Sequence, residues 1–136
     1  MQNSTIFKKI MKNIAIFASG SGTNAENIIR FFRTDRSGRV KLVLTNNPKA
    51  GVIQRAQSND IETFVFGRVQ LYESGEVLDL LKQRAIDFVV LAGFLWLVPL
   101  PILKAFENKI VNIHPALLPK YGGKGMYGKH VHQAVI

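Results

Sequence analysis

Short apolar runs alternate with amphipathic segments along this chain, and that order restricts the fold more than any other feature. Five runs have the length and composition of strands, and they cover residues 13–17, 40–44, 62–66, 87–94 and 109–114. Four segments between them have helical character, and they cover residues 25–32, 52–59, 71–85 and 99–106. A repeated β-α order requires a parallel sheet with right-handed crossovers. We therefore predict an α/β fold with a mostly parallel sheet and helices on both faces.

Length and composition favour one globular domain. The 136 residues are 47% hydrophobic and 20% charged, and no linker or repeat divides them, so residues 1–136 are predicted to form a single domain. Residues 1–10 lack the apolar core of a signal peptide and are interpreted as an N-terminal extension, with Met11 as a candidate start. The uncharged run 88–103 is broken by glycine and proline and is too short for a membrane span. A cytoplasmic protein with no membrane partner is expected.

The charge of the chain indicates anionic partners. It carries 18 Lys+Arg against 9 Asp+Glu, a formal net charge of +9. The basic residues do not cluster with aromatic residues along one element, so no nucleic-acid partner is expected.

There is no cysteine, which excludes disulfides and zinc–thiolate sites. His130 and His132 have no third ligand placed with them, and no metal is expected.

The turn after the first strand, SGSGTN, is the first candidate site. Gly20 and Gly22 allow a tight turn and a close approach of the backbone to a ligand. Ser21, Thr23 and Asn24 add side-chain hydrogen bonds, and the helix that follows offers N–H groups and the positive end of its dipole. These features predict an anion site.

A dinucleotide fingerprint is an alternative interpretation of this turn. Gly20, Gly22 and Ala25 fit G-x-G-x-x-A. That motif also needs an acid at the end of the second strand, where the sequence instead has Thr45, Asn46 and Asn47. We therefore prefer a single phosphate to a pyrophosphate. A turn that only joins strand to helix is the remaining alternative.

The end of the fifth strand is the second candidate site. Asn112 and His114 are two residues apart, so their side chains project from the same face of the strand, and Pro115 helps to end the pairing there. Histidine can transfer a proton near neutral pH, and an asparagine amide can donate to an oxygen that gains negative charge. No serine or cysteine is placed like an activated nucleophile, so direct attack of the substrate on an activated carbonyl carbon fits better than a covalent intermediate. A satisfied buried histidine is the alternative.

Three motifs together resemble the folate-dependent formyltransferase family. They are SGSGTN after the first strand, VVLAGF in the fourth strand, and NIHPALLPKY at the end of the fifth. The resemblance runs from about residue 11 to residue 136. It implies a Rossmann-like formyltransferase fold. The glycine turn is similar to that of members that formylate 5′-phosphoribosylglycinamide in purine biosynthesis, with 10-formyltetrahydrofolate as co-substrate and no metal.

The resemblance also implies roles for individual residues. Gly22, Thr23 and Asn24 match positions that bind the substrate phosphate. The folate is expected to contact Arg68, Leu95, Trp96, Leu97, Val98 and Asn112. Asn112 and His114 match the catalytic pair, with the histidine as acid. Trp96 stands where many members have arginine, and both Trp96 as plain core and Arg68 as a solvated charge stay open.

Other interpretations follow from what the sequence lacks. The family's downstream catalytic aspartate and last strands have no counterpart here, so we expect the C-terminal part of the domain to be missing and the chain alone to be inactive. An exposed sheet edge would then favour homo-oligomers. The alternatives are an inactive phosphate-binding remnant of the family, or formyl transfer to another amine such as that of methionyl-tRNA.

Overall fold

The computed structural model describes residues 11–113, which form one parallel sheet covered by helices. The strands are β1 (Lys12–Phe17), β2 (Gly38–Thr45), β3 (Glu62–Val65), β4 (Phe88–Ala92) and β5 (Ile110–Ile113). The helices are α1 (Thr23–Thr34), α2 (Gly51–Ser58), α3 (Glu76–Gln83) and α4 (Leu100–Ala105). Within these residues, no helix is long and apolar enough to cross a membrane.

The strand order is β3-β2-β1-β4-β5, and every neighbouring pair is parallel. The chain moves outward from β1 to β3, returns across the sheet, and then moves outward on the other side through β4 and β5. Right-handed crossovers in opposite directions place helices on opposite faces. The predicted α/β fold with a parallel sheet and two helical layers is confirmed.

Alternating strand side chains build a separate core on each face of the sheet. In β1, Ala15 and Phe17 face one cluster while Ile14 and Ile16 face the other, as the two-residue period of a strand requires. The first cluster includes residues of α3 and α4, and the second includes residues of α1 and α2. Burial on both faces explains why residues 14–17 of β1 and all of β4 are apolar.

The predicted helix over 71–85 is wrong in one respect, because the structure divides it. A π-helical turn covers Val69–Glu73, and α3 begins only at Glu76. Between them Gly75 has a φ of 76°, a left-handed conformation that glycine adopts without the strain of a side chain. The apolar spacing spans both pieces, so periodicity alone did not reveal the break.

Phe17 is the residue on which we expect the first core to depend most. It is 1% exposed, and its ring lies 5.2 Å from that of Phe94 and 6.0 Å from that of Phe66, both edge to face. Phe17→Ala should lower the free energy of unfolding by about 3–5 kcal/mol. Phe31→Ala is the matched control, since Phe31 is 56% exposed and should cost about 0.5 kcal/mol or less. Urea denaturation followed by circular dichroism measures both, and equal losses would contradict this description of the core.

Candidate functional site

The candidate site lies where the strand order reverses, at the carboxyl ends of β1 and β4. Ligands of open α/β sheets bind at such a switch point. The loops that follow these two strands are joined directly, because the Ser19 N–H donates to the Gly93 carbonyl oxygen at 3.2 Å. The loop after β2 joins them through Asn46, whose Oδ1 accepts from the Ser19 hydroxyl at 2.6 Å. Three loops therefore meet at one edge of the sheet.

Gly22 begins α1 in a conformation that only glycine fits. Its φ is 81°, and a Cβ at this position would lie 2.5 Å from Val52 Cγ2 and 2.7 Å from Val52 Cα. No side chain caps the start of α1, and Thr23 and Asn24 are exposed. The first N–H groups of a twelve-residue helix are thus presented to a ligand, together with the positive end of its dipole.

The turn that precedes α1 is held in place by α2. The Val52 N–H donates to the Gly20 carbonyl oxygen at 3.1 Å, and the Arg55 Nε donates to the Ser21 carbonyl oxygen at 2.7 Å. Both bonds fix carbonyl groups toward α2, which leaves the N–H side of the turn to face outward. Two hydrogen bonds therefore attach the turn to α2.

Glu26 is the acid nearest to this helix start, and arginines balance its charge. Arg55 and Arg30 both pair with the Glu26 carboxylate. The hydrogen bond from Arg55 lowers the pKa of the Glu26 carboxyl below its usual value, and the positive charge of Arg30 adds to this effect. The carboxylate is consequently ionised at neutral pH, yet two guanidinium groups offset its repulsion of an anion at the helix start.

The loop between β4 and α4 presents apolar side chains to solvent. Leu95 is 77% exposed and Leu97 is 68% exposed, whereas Trp96 and Val98 are partly buried against the core. The Tyr72 hydroxyl donates to the Leu97 carbonyl oxygen at 2.7 Å. Exposed leucines on an anchored loop are typical of a surface that packs on a flat apolar ligand or partner.

Trp96 organises the π-helical turn against this loop. Its ring stacks on Tyr72 with centroids 6.3 Å apart, and the Arg68 guanidinium lies 4.3 Å from the centre of the Trp96 ring. Arg68 is an exposed residue whose guanidinium makes a cation–π contact with this ring, and its role toward a folate stays a prediction. Trp96 packs partly against the core and partly against Tyr72 and Arg68. The alternative of a plain core residue therefore describes only some of its contacts.

Asn112 lies in the middle of β5, on the face that carries the first core cluster. It pairs in register with Leu91, and Ile110, two residues before it, is fully buried in that cluster. The Asn112 Oδ1 is shielded from solvent and has no hydrogen-bond partner among residues 11–113. A shielded amide oxygen without a partner costs stability unless a ligand or another group binds it. His114, the second member of the predicted pair, lies outside the described residues, as do His130 and His132.

The predicted residues that the structure describes form two groups. Gly22, Thr23 and Asn24 lie at one end of the switch point, and residues 95–98 with Arg68 lie at the other. Sequence reasoning missed three residues whose hydrogen bonds hold the loops of the candidate site: Ser19, Arg55 and Tyr72. Only Ser19 had a signal, its position inside the glycine-rich turn. Among residues 11–113 no group of three or more acidic or histidine side chains could hold a metal ion.

Comparisons of the sequence with known proteins identify one family and several relatives. A model of the formyl transferase family matches residues 12–136. The chain is 41% identical over 131 residues to the chloroplastic phosphoribosylglycinamide formyltransferase of Arabidopsis thaliana, which covers 92% of this chain and 45% of the relative. It is 33% identical over 125 residues to the phosphoribosylglycinamide formyltransferase of Bacillus subtilis, which covers 88% of this chain and 64% of the relative.

A solved structure of a related protein is also similar to this chain. Glycinamide ribonucleotide transformylase 1 from Geobacillus kaustophilus superimposes with a TM-score of 0.73 and 44% sequence identity, over 88% of this chain and 66% of that one. This chain therefore spans roughly half to two thirds of the length of the relatives that it matches.

Gly22 provides a direct test of the anion site. Gly22→Ala should abolish the binding of inorganic phosphate, because the Cβ would collide with Val52 and the left-handed conformation alone costs about 1–2 kcal/mol. The measurement is the shift of the Thr23 and Asn24 amide signals in NMR on addition of phosphate. Gly67→Ala is the control, since a Cβ there meets nothing within 4 Å. Undiminished phosphate shifts in a folded Gly22→Ala protein would show that the anion binds elsewhere.

Proposed function

Because this chain belongs to the formyl transferase family, we propose that the complete protein transfers a formyl group from 10-formyltetrahydrofolate to the amine of 5′-phosphoribosylglycinamide. One observation carries the proposal beyond the family. Gly22 starts α1 at the switch point with uncapped N–H groups, and this anion site stands beside an exposed apolar loop. A phosphorylated amine and a largely apolar folate need two such adjacent surfaces.

The phosphate of the substrate would bind the N–H groups of Gly22, Thr23 and Asn24. A single phosphate suits a helix start of this kind. The end of β2 supports this choice over a dinucleotide, because Asn46 is engaged by Ser19 and there is no acid beside it for a ribose. The net charge of +9 would attract both the phosphate and a carboxylate-bearing folate.

The folate would lie along the loop that contains Leu95, Trp96, Leu97 and Val98. Apolar and aromatic side chains with a few placed polar groups are the usual lining of cofactor sites. Arg68 borders this surface and is held by the Trp96 ring at 4.3 Å, so its guanidinium has a defined position for a carboxylate of the folate. A fixed arginine binds a carboxylate at a smaller cost in side-chain entropy than a mobile one.

The chemical step would be a direct transfer. The substrate amine attacks the formyl carbon, a new C–N bond forms, and the bond from that carbon to N10 of the folate breaks. Asn112 donates its amide N–H to the oxyanion of the tetrahedral intermediate, while its Oδ1, which lacks a partner among the described residues, can accept an N–H of a ligand. His114 supplies the proton that N10 receives, and the proton that the amine releases restores the protonated His114.

The finer assignments of partner and location belong to this proposal. We expect small-molecule substrates, no nucleic-acid partner, self-association as a homo-oligomer, and a cytoplasmic location. The Arabidopsis relative is named as a chloroplastic protein, so fractionation of the source cells decides the compartment. The assignment of residues 1–136 to one domain is part of the same proposal.

Turnover of the intact protein with 5′-phosphoribosylglycinamide and 10-formyltetrahydrofolate tests the function, followed by the absorbance of the folate product. Asn112→Ala should lower kcat by about 10²–10³, the usual effect of removing one oxyanion donor. His114→Ala should lower it by roughly 10²–10⁴. Val111→Ala is the control, because Val111 is 40% exposed and points to the opposite face of β5.

Each result has a distinct meaning. Near-normal turnover in Asn112→Ala or His114→Ala would remove that residue from the mechanism. Binding of both ligands without turnover would instead support a phosphate-binding remnant of the family. Formylation of methionyl-tRNA in preference to 5′-phosphoribosylglycinamide would refute the proposed substrate.

A further inference from the structure

Ser19 occupies the point where the loops after β1, β2 and β4 meet. Its side chain is buried, with the residue 6% exposed, and its hydroxyl makes two hydrogen bonds. It donates to Asn46 Oδ1 at 2.6 Å and accepts from the Leu95 N–H at 2.9 Å. The Ser19 N–H adds a third bond, to the Gly93 carbonyl oxygen. Three segments that are distant in sequence therefore depend on one small residue.

The direction of this hydrogen-bond chain is fixed. A backbone N–H can only donate, so the Ser19 oxygen must be the acceptor for Leu95. The single hydroxyl proton is then directed to Asn46. Hydrogen bonds in such a series polarise and strengthen one another. The chain Leu95 N–H to Ser19 to Asn46 thus holds the hydroxyl in one orientation.

Ser19 and Leu95, which share one of these hydrogen bonds, lie in different candidate ligand surfaces. Leu95 is the first residue of the exposed apolar loop, which is anchored again at Leu97 by Tyr72. Ser19 directly precedes Gly20, whose carbonyl oxygen binds the Val52 N–H of α2. A ligand that orders the turn before α1 therefore also restricts the Ser19 backbone. Through the hydroxyl, it restricts the start of the apolar loop.

We propose that Ser19 is a positioning residue whose hydroxyl couples the anion turn (residues 19–24) to the apolar loop (residues 95–98). Binding of the phosphorylated substrate at the turn raises the affinity of the loop for the folate, because the loop is already ordered when the second ligand arrives. The coupling is reciprocal. Ser19 itself is too buried to contact either ligand. The inference rests on the proposed function, since that assigns one ligand to each surface.

The coupling is measured as a ratio of affinities. The dissociation constant of the intact protein for 5-formyltetrahydrofolate is determined by calorimetry with and without saturating 5′-phosphoribosylglycinamide. Couplings of this kind are typically about 5–150-fold, and we expect at least about fivefold in the unmodified protein. Ser19→Ala should bring the ratio close to one. A variant that merely loses stability would not change this ratio while it remains folded.

Further variants keep the test independent of folding. Asn46→Leu removes the acceptor and should also reduce the ratio, whereas Asn46→Asp retains an oxygen in that place and should preserve it. Ser58→Ala is the matched control, because Ser58 is an exposed serine at the end of α2. It should leave the ratio unchanged. A ratio in Ser19→Ala equal to that of the unmodified protein would overturn the coupling.

Hydrogen exchange separates this inference from the proposed function. In the ligand-free protein, the Leu95 amide should exchange at least about tenfold faster in Ser19→Ala than in the unmodified protein, since its acceptor is lost. Unchanged exchange at Leu95 would refute the hydrogen-bond chain itself. Faster exchange at Leu95, in a protein that binds neither ligand, would refute the proposed function and the coupling but leave the hydrogen-bond chain intact.

Discussion

The reversal of strand order between β1 and β4 is the constraint on which the rest of the structure depends. Because the crossovers run outward from β1 in opposite directions, α1 and α2 cover one face while α3 and α4 cover the other. The loops that follow β1 and β4 must then diverge to opposite faces. Ligands of open α/β sheets bind in the crevice beside such a switch point.

The two surfaces beside this opening differ in chemistry because different forces build them. The turn at Gly22 presents backbone N–H groups, which the packing of the turn on Val52 and Arg55 fixes from behind. The loop at residues 95–98 presents apolar side chains. Tyr72 anchors this loop through a hydrogen bond to the Leu97 carbonyl oxygen and by stacking on Trp96. We propose that one surface recognises charge and the other recognises apolar area. The buried hydroxyl of Ser19 is the direct link between them.

Much of the fold could be predicted from the sequence, because it depends on local patterns. The five strands overlap the five predicted runs, and burial on both faces explains the apolar residues at the centre of the sheet. The glycine turn and the spacing of Asn112 and His114 are also local signals, and the roles predicted from them stay predictions. Strand alternation predicted only that Asn112 and His114 share a face, and the structure puts Asn112 on the face of Ile110 in the first core cluster.

The remaining features depend on contacts between distant segments, which no local pattern encodes. Leu95 and Ser19 are 76 residues apart in sequence, and Asn46 and Ser19 are 27 apart. In the sequence, Asn46 is notable only because a dinucleotide site would need an acid near that position. In the structure, its side-chain oxygen accepts a hydrogen bond from the Ser19 hydroxyl. The break before α3 was missed for a different reason. Gly75 allows a left-handed turn there, while the apolar positions on either side keep their helical spacing.

The central claim is that the start of α1 binds the phosphate of a substrate that extends toward the apolar loop. A crystal structure of the protein with bound 5′-phosphoribosylglycinamide tests it most directly. The account predicts phosphate oxygens within hydrogen-bond distance of the N–H groups of Gly22, Thr23 and Asn24, with the amine directed toward Asn112. A phosphate bound away from this turn, or an amine that points away from β5, would contradict it.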